Sequence, residues 1–179
     1  CLSFGLESMA RYGLIFWVPV HFLGDNWKED PSLIWVTFLL PLGMAFGAFS
    51  FGQLSTTLFK SNYKSIFMGM LVCCGLSFLL FFMHNANLVV IGFLLIACGF
   101  FVYGPQANFW ALCPQIMGRE RTGTAIGTMN MCGYLFAALG EPLLGYIIEK
   151  TGNTRFLFLV ISIICLLSAS IMYLIKEER

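Results

Sequence analysis

Six apolar stretches, at about 1–23, 33–58, 65–83, 88–113, 122–148 and 156–175, are each long enough to cross a membrane as a helix. A hydrocarbon core about 30 Å thick needs roughly 20 helical residues. Inside it no water satisfies the backbone, so a segment either closes its own hydrogen bonds as a helix or joins a closed barrel. The runs are continuous and do not alternate apolar with polar, which argues against barrel strands. An all-α membrane protein with six transmembrane helices is expected. With 59% hydrophobic and only 11% charged residues, and a mean hydropathy of +0.83, a water-soluble domain of this length is excluded.

Charge placement supports the same segmentation. Asp25, Lys28, Glu29 and Asp30 fall in the first connection, and Lys60 and Lys64 in the second. The third connection, His84 to Asn87, has no acidic or basic charge; Arg119, Glu120 and Arg121 fill the fourth, and Glu149, Lys150 and Arg155 the fifth. Six basic residues (Lys60, Lys64, Arg119, Arg121, Lys176, Arg179) fall on one side and three (Lys28, Lys150, Arg155) on the other. The richer side is expected to be cytoplasmic, which puts the carboxyl terminus inside; a cytoplasmic (inner) membrane is the expected location. A net charge of +1 without a basic patch gives no reason to expect nucleic acid as a partner.

The chain starts with Cys1, and its first helix has neither a basic flank nor a small-residue cleavage site, so it reads as a fragment and not as a signal-bearing start. Its seven cysteines lie mostly inside apolar spans without CxxC spacing, and His21 and His84 sit far apart. Neither a disulfide framework nor a metal site is expected; the cysteines read as small packing residues. Gly43 and Gly47, four apart on the second span, and Gly92, Gly99 and Gly104 on the fourth mark close helix approach. Pro19, Pro41, Gly104–Pro105 and Glu141–Pro142 interrupt spans, either as static kinks or as points of bending. The third and sixth spans carry no charge and are expected at the lipid-facing periphery.

Arg11 is the one basic residue that cannot be placed in a connection. A full charge within a membrane helix is expensive and persists mainly where it faces a ligand path or a partner. Ser3, Glu7 and Arg11 recur every four residues and share a helix face, with Glu before Arg in the favourable order. Two roles stay open for Arg11: neutralised by Glu7 it holds the bundle together, or its planar fork binds an anion such as phosphate. On the fifth span Gly127, Asn130, Tyr134, Ala138 and Glu141 form a second stripe, facing a cavity or a neighbouring helix. Glu141 is read as a proton relay or as a hydrated kink beside Pro142. The fourth span offers Tyr103, Gln106 and Trp110, groups suited to a sugar or phosphate path, with an interfacial anchor as the alternative for Trp110.

Arg11-Tyr12-Gly13 with Trp17 and Pro19, the run Gly99 to Pro105, Gly123 to Gly127, Gly133-Tyr134-Leu135 and Gly145-Tyr146-Ile147 stand in a fixed order along the chain. In this combination the chain resembles, over essentially its whole length, the carboxy-terminal half of a major facilitator superfamily transporter of the organophosphate:phosphate antiporter family. The resemblance implies one half, residues 1–179, of a twelve-helix fold whose halves are each a 3+3 inverted repeat, with an amino-terminal six-helix half as partner. It implies that Arg11 is the second-half arginine of a pair gripping a phosphate, and that Tyr103 and Tyr134 surround the cavity. Asn130 and Gln106 join them from their helical faces, and Glu7 and Glu141 are the charge partners or relays. The chain departs from the family at Phe16, where an acidic residue is common, at Glu7, where the family is usually apolar, and in Gly52 to Thr57, where threonines replace the charges of a cytoplasmic motif.

The expected function is secondary transport of a hexose or glycerol phosphate in exchange for inorganic phosphate by alternating access. No cofactor is required. The alternative is a membrane receptor for sugar phosphates that signals to a partner protein. An enzyme is not expected, since no nucleophile stands near a base and no metal-ligand cluster is present in the sequence.

Overall fold

A computed structural model describes residues 1–24, 34–83 and 87–175. The loop charges Asp25, Lys28, Glu29 and Asp30, the residue His84, and the tail residues Lys176 and Arg179 lie outside the described residues. Helix α1 spans Leu2–Leu23, α2 Ile34–Leu54, α3 Asn62–Phe82, α4 Leu88–Tyr103, α5 Gln106–Met117, α6 Thr122–Thr151 and α7 Phe156–Leu174. Every apolar stretch expected from the sequence is helical. The fourth is two helices, because the chain turns at Gly104–Pro105, where proline withholds a backbone donor and the ladder restarts. Pro19, Pro41, Pro114 and Pro142 instead lie within continuous helices.

The helix ends show why the connections are short. Ser61 accepts the Lys64 backbone N–H at 3.4 Å, and Asn87 accepts that of Val89 at 3.0 Å, so side chains satisfy donors that the first turn leaves free. α6 stops at Gly152, whose φ of 61° is left-handed and open to glycine without a Cβ penalty. Between α2 and α3, Ser55–Phe59 winds as a π-helix, and the hydroxyls there turn onto their own backbone: Ser55 donates to Gly52 O, and Thr56 and Thr57 both donate to Gln53 O.

Packing follows the small residues. α2 lies along α4 because a β-carbon on Gly43, Gly47 or Gly99 would strike the carbonyl of Ile96, Phe100 or Leu40 respectively. α1 lies along α6 through a second seam that the sequence reading did not single out: Gly5 faces the Phe136 ring, Gly133 faces Phe4 and Ser8, and Gly140 faces Met9. α3 packs on α7, with Cys73 Sγ 3.8 Å from Cys98 Sγ and 3.6 Å from Cys165 Sγ; all seven cysteines are free. The outer sides of α3 and α7 are apolar, with Leu71, Phe78, Leu79, Ile163, Leu166 and Leu167 exposed.

Among the described residues five helical stretches, Ile34–Phe59, Asn62–Phe82, Leu88–Met117, Arg119–Thr151 and Phe156–Leu174, are long and apolar enough to cross a membrane. α1, with 22 residues, has the length but not the apolarity, because Ser3, Glu7, Ser8 and Arg11 dilute it. It compensates by burying them: Ser3, Glu7 and Ser8 are closed off from solvent, and the hydroxyl of Ser3 lies 2.8 Å from that of Ser168 on α7. A helix that buries polar groups against neighbours on several sides is an inner helix of the bundle.

Candidate functional site

α1, α4, α5 and α6 surround a cavity of about 330 Å3, within the size range of small-molecule pockets, about 300–1,000 Å3. Its floor on α1 is Phe4, Ser8, Arg11 and Tyr12. α4 and α5 add Tyr103, Gln106 and Trp110, and α6 adds Asn130, Gly133 and Tyr134. Local structure explains the convergence. The break at Gly104–Pro105 starts α5 at Gln106, so Tyr103 ends one helix and Gln106 begins the next beside it. Gly133 lets α6 approach the Phe4 ring, which brings Asn130, about a turn before it, and Tyr134, the residue after it, to the cavity beside α1.

Arg11 organises this space. Its side chain is only 11% exposed, so its charge must be met by the protein. Nη1 donates to Gln106 Oε1 at 3.2 Å, and the guanidinium carbon lies 4.6 Å from the centre of the Tyr12 ring and 5.2 Å from that of Tyr103. Each ring face attracts the cation by about 0.5–2 kcal/mol, depending on desolvation. On the other side Nε lies 3.8 Å from Glu7 Oε1, and neither of these two buried atoms has a hydrogen-bond partner. A charge-assisted bond is about 2.7–2.9 Å long, so this is a through-space pair and not a bidentate fork. Glu7 is fully buried, and its other oxygen accepts only a long bond, 3.4 Å, from Ser8. The guanidinium end is thus turned to the cavity while its positive charge is shared with a carboxylate behind it.

The five residues singled out as ligand groups, Arg11, Tyr103, Gln106, Asn130 and Tyr134, all line this one cavity. Tyr134 is at its rim, 61% exposed, with its ring centre 6.3 Å from that of Tyr12. Glu7 lies beneath Arg11 as a charge partner. Glu141 does not line the cavity: its Oε2 accepts the indole N–H of Trp17 at 2.9 Å, further along α1, and its Oε1 is buried without a partner. His21 is likewise occupied elsewhere, its Nδ1 2.6 Å from the Thr154 hydroxyl.

Sequence reasoning did not choose Tyr12, Ser8 or Phe4. Ser8 precedes Arg11 by three residues and Tyr12 by four, a spacing that places all three on neighbouring lines of one helix. A second cavity of about 530 Å3 opens between the start of α1 and the ends of α5 and α7, lined by Leu2, Phe109, Ile116, Met129 and Ile171. It is larger but mostly apolar and has no charged side chain among the described residues that line it, so a phosphorylated ligand would lose hydration there with little replacement.

Residues 1–141 match the sequence profile of the family described as Major Facilitator Superfamily. Among curated proteins, the chain is 26% identical over 160 residues to the glycerol-3-phosphate transporter of Bacillus subtilis (strain 168), covering 87% of the chain and 36% of that protein. It is 25% identical over 191 residues to sugar phosphate exchanger 3 of Xenopus laevis, covering 99% of the chain and 36% of that protein. It is 21% identical over 187 residues to glucose-6-phosphate exchanger SLC37A2 of Xenopus tropicalis, covering 100% and 37%. The chain therefore spans a little over a third of the length of the relatives it matches.

Proposed function

Because the chain belongs to the Major Facilitator Superfamily, we propose that it forms the carboxy-terminal six-helix half of a secondary transporter, in which Arg11 holds the phosphoryl group of a hexose or glycerol phosphate. In this reading α1 crosses the membrane as a sixth span, shielded by its neighbours, and an amino-terminal half covers the exposed side of α1 and α6. The short connections carrying Lys60, Lys64, Arg119 and Arg121 face the cytoplasm of an inner membrane, and the carboxyl terminus is on the same side. Substrate enters the cavity from alternate sides and is exchanged for inorganic phosphate.

One observation carries the reading: a scarcely exposed guanidinium sits on the floor of a polar cavity, held by two aromatic faces and an amide instead of being consumed by a close ion pair. Those partners position the charge without cancelling it, which leaves it for an anion. The names of the relatives, all transporters or exchangers of phosphorylated metabolites, point the same way. Tyr103, Tyr134, Gln106 and Asn130 supply hydrogen-bond groups for a polyol or for phosphate oxygens.

The test is exchange of labelled phosphate or glycerol 3-phosphate by the full-length chain in phosphate-loaded vesicles, native against Arg11→Lys, which keeps the charge and loses the planar fork. Loss of one charge-assisted bond of about 1.5–3 kcal/mol predicts roughly 10- to 150-fold weaker uptake at low substrate. Equal exchange by the two proteins would leave Arg11 as a structural partner of Glu7. A receptor for sugar phosphates is the second reading, favoured by Thr56 and Thr57, whose hydroxyls are spent on Gln53 O where a gating network would be charged. A receptor would bind the ligand in the same assay with no appreciable flux.

A further inference from the structure

Glu7 is the one charged side chain among the described residues that is fully buried. Arg11, its one counter-charge among the described residues, is shared with the cavity: Nε looks back at Glu7 across 3.8 Å and Nη1 reaches forward to Gln106. Both facing atoms, Glu7 Oε1 and Arg11 Nε, lack a hydrogen bond. Such a pair is loose enough to be divided. Anything negative placed against the guanidinium competes with Glu7 for its charge, and a carboxylate robbed of its counter-ion at zero exposure is among the costliest states a protein interior can hold.

Among the described residues, the other elements around Glu7 offer no replacement cation. α7 presents neutral groups to α1 and α3: the Ser168 hydroxyl meets that of Ser3, and the Cys165 thiol lies 3.6 Å from Cys73 of α3, itself 3.8 Å from Cys98 of α4. Tyr103 of α4 faces the guanidinium at 5.2 Å, and Tyr134 of α6 lines the cavity with it; neither is a cation. α2 carries no acidic or basic residue. Glu141 of α6 is bonded to Trp17, ten residues along α1 from Glu7, about 15 Å at the helical rise.

Building on the reading of Arg11 as the phosphate ligand, we propose that Glu7 is a proton-binding site coupled to occupancy of the cavity. A phosphate monoester dianion takes over the charge of Arg11, and Glu7 Oε1 takes up one proton from water. With the cavity empty the proton returns to water and the Glu7 to Arg11 pair re-forms. The loaded protein then carries one proton with each organophosphate, so that binding tightens as the medium becomes more acidic, and proton and substrate promote each other's binding to equal degree.

The experiment adds glycerol 3-phosphate to the full-length protein in weakly buffered detergent solution with a pH indicator, at about pH 8, where a monoester whose second ionisation lies near about pH 6 is already dianionic. Native protein should take up about one proton per ligand bound. Glu7→Gln should bind without proton uptake, and Glu141→Gln should take up the proton as native does. Native binding without uptake, or uptake that persists in Glu7→Gln, overturns the proposal. An infrared difference spectrum of the native protein supplies a readout that needs no variant. A protonated-carboxyl band appearing on ligand addition is expected, and its absence overturns the coupling even if Glu7→Gln fails to fold. No binding by native protein at all would instead defeat the assignment of Arg11 as a phosphate ligand, and the coupling with it.

Discussion

Arg11 is held by contacts of unequal strength, and they predict unequal losses. Replacing Tyr103 by Phe keeps the aromatic face 5.2 Å from the guanidinium, whereas Leu removes it. Tyr103→Leu should weaken binding of labelled phosphate by the full-length protein by about 0.5–2 kcal/mol, roughly 2- to 30-fold, and Tyr103→Phe by clearly less. An equal loss in both would mean that the hydroxyl, not the ring, matters. Trp17 and Glu141 make a separate statement. Their 2.9 Å bond ties α1 to α6 away from the cavity, so Trp17→Phe should lower thermal stability by about 1 kcal/mol while leaving phosphate affinity close to native. Much at this scale was legible in the sequence. Glu7 and Arg11 stand four apart on one helix, so their proximity follows from the helical repeat alone. The diversion of Glu141 to Trp17 was not legible, because a stripe along α6 states which residues share a face and not which helix lies opposite.

At the scale of elements, glycine decides how close two helices come. Gly43 and Gly99 sit where a β-carbon would strike a neighbouring carbonyl, while Gly75 on α3 faces open space. Gly43→Ala or Gly99→Ala should push α2 from α4 and cost about 1–3 kcal/mol in thermal unfolding of the detergent-solubilised protein. Gly75→Ala should be neutral or stabilising by up to about 1 kcal/mol, since it only improves helix propensity. If all three behaved alike, close approach would not be what these glycines provide. That α2 approaches some neighbour closely was readable from the four-residue spacing of Gly43 and Gly47, but that the neighbour is α4 was not. The seam of Gly5, Gly133 and Gly140 was not, since its glycines are scattered over two helices more than a hundred residues apart and become a pattern only once α1 lies against α6.

For the whole molecule, the distribution of basic residues predicts orientation. Single cysteines introduced as Lys60→Cys and Arg119→Cys should react with an impermeant maleimide from the cytoplasmic side, and Lys150→Cys from the opposite side. Labelling of Lys60→Cys and Lys150→Cys from the same side would break the alternation of spans. The all-helical class and the approximate place of five apolar spans needed only the sequence, because in a membrane apolar length and backbone hydrogen bonding dominate every other preference. That the fourth stretch is two helices, and that α1 is too polar to count among the spans by composition, was not foreseen. Arg11 stood out for the same reason: a charge in such a segment is too costly to be incidental. That Arg11 meets Gln106, 95 residues away, under the rings of Tyr12 and Tyr103, and that it holds Glu7 only at arm's length, was decided by tertiary structure. Periodicity assigns each side chain to a face of its own helix. Which faces meet, and how tightly, depends on small residues, a helix break at Gly104–Pro105 and the packing of four helices at once.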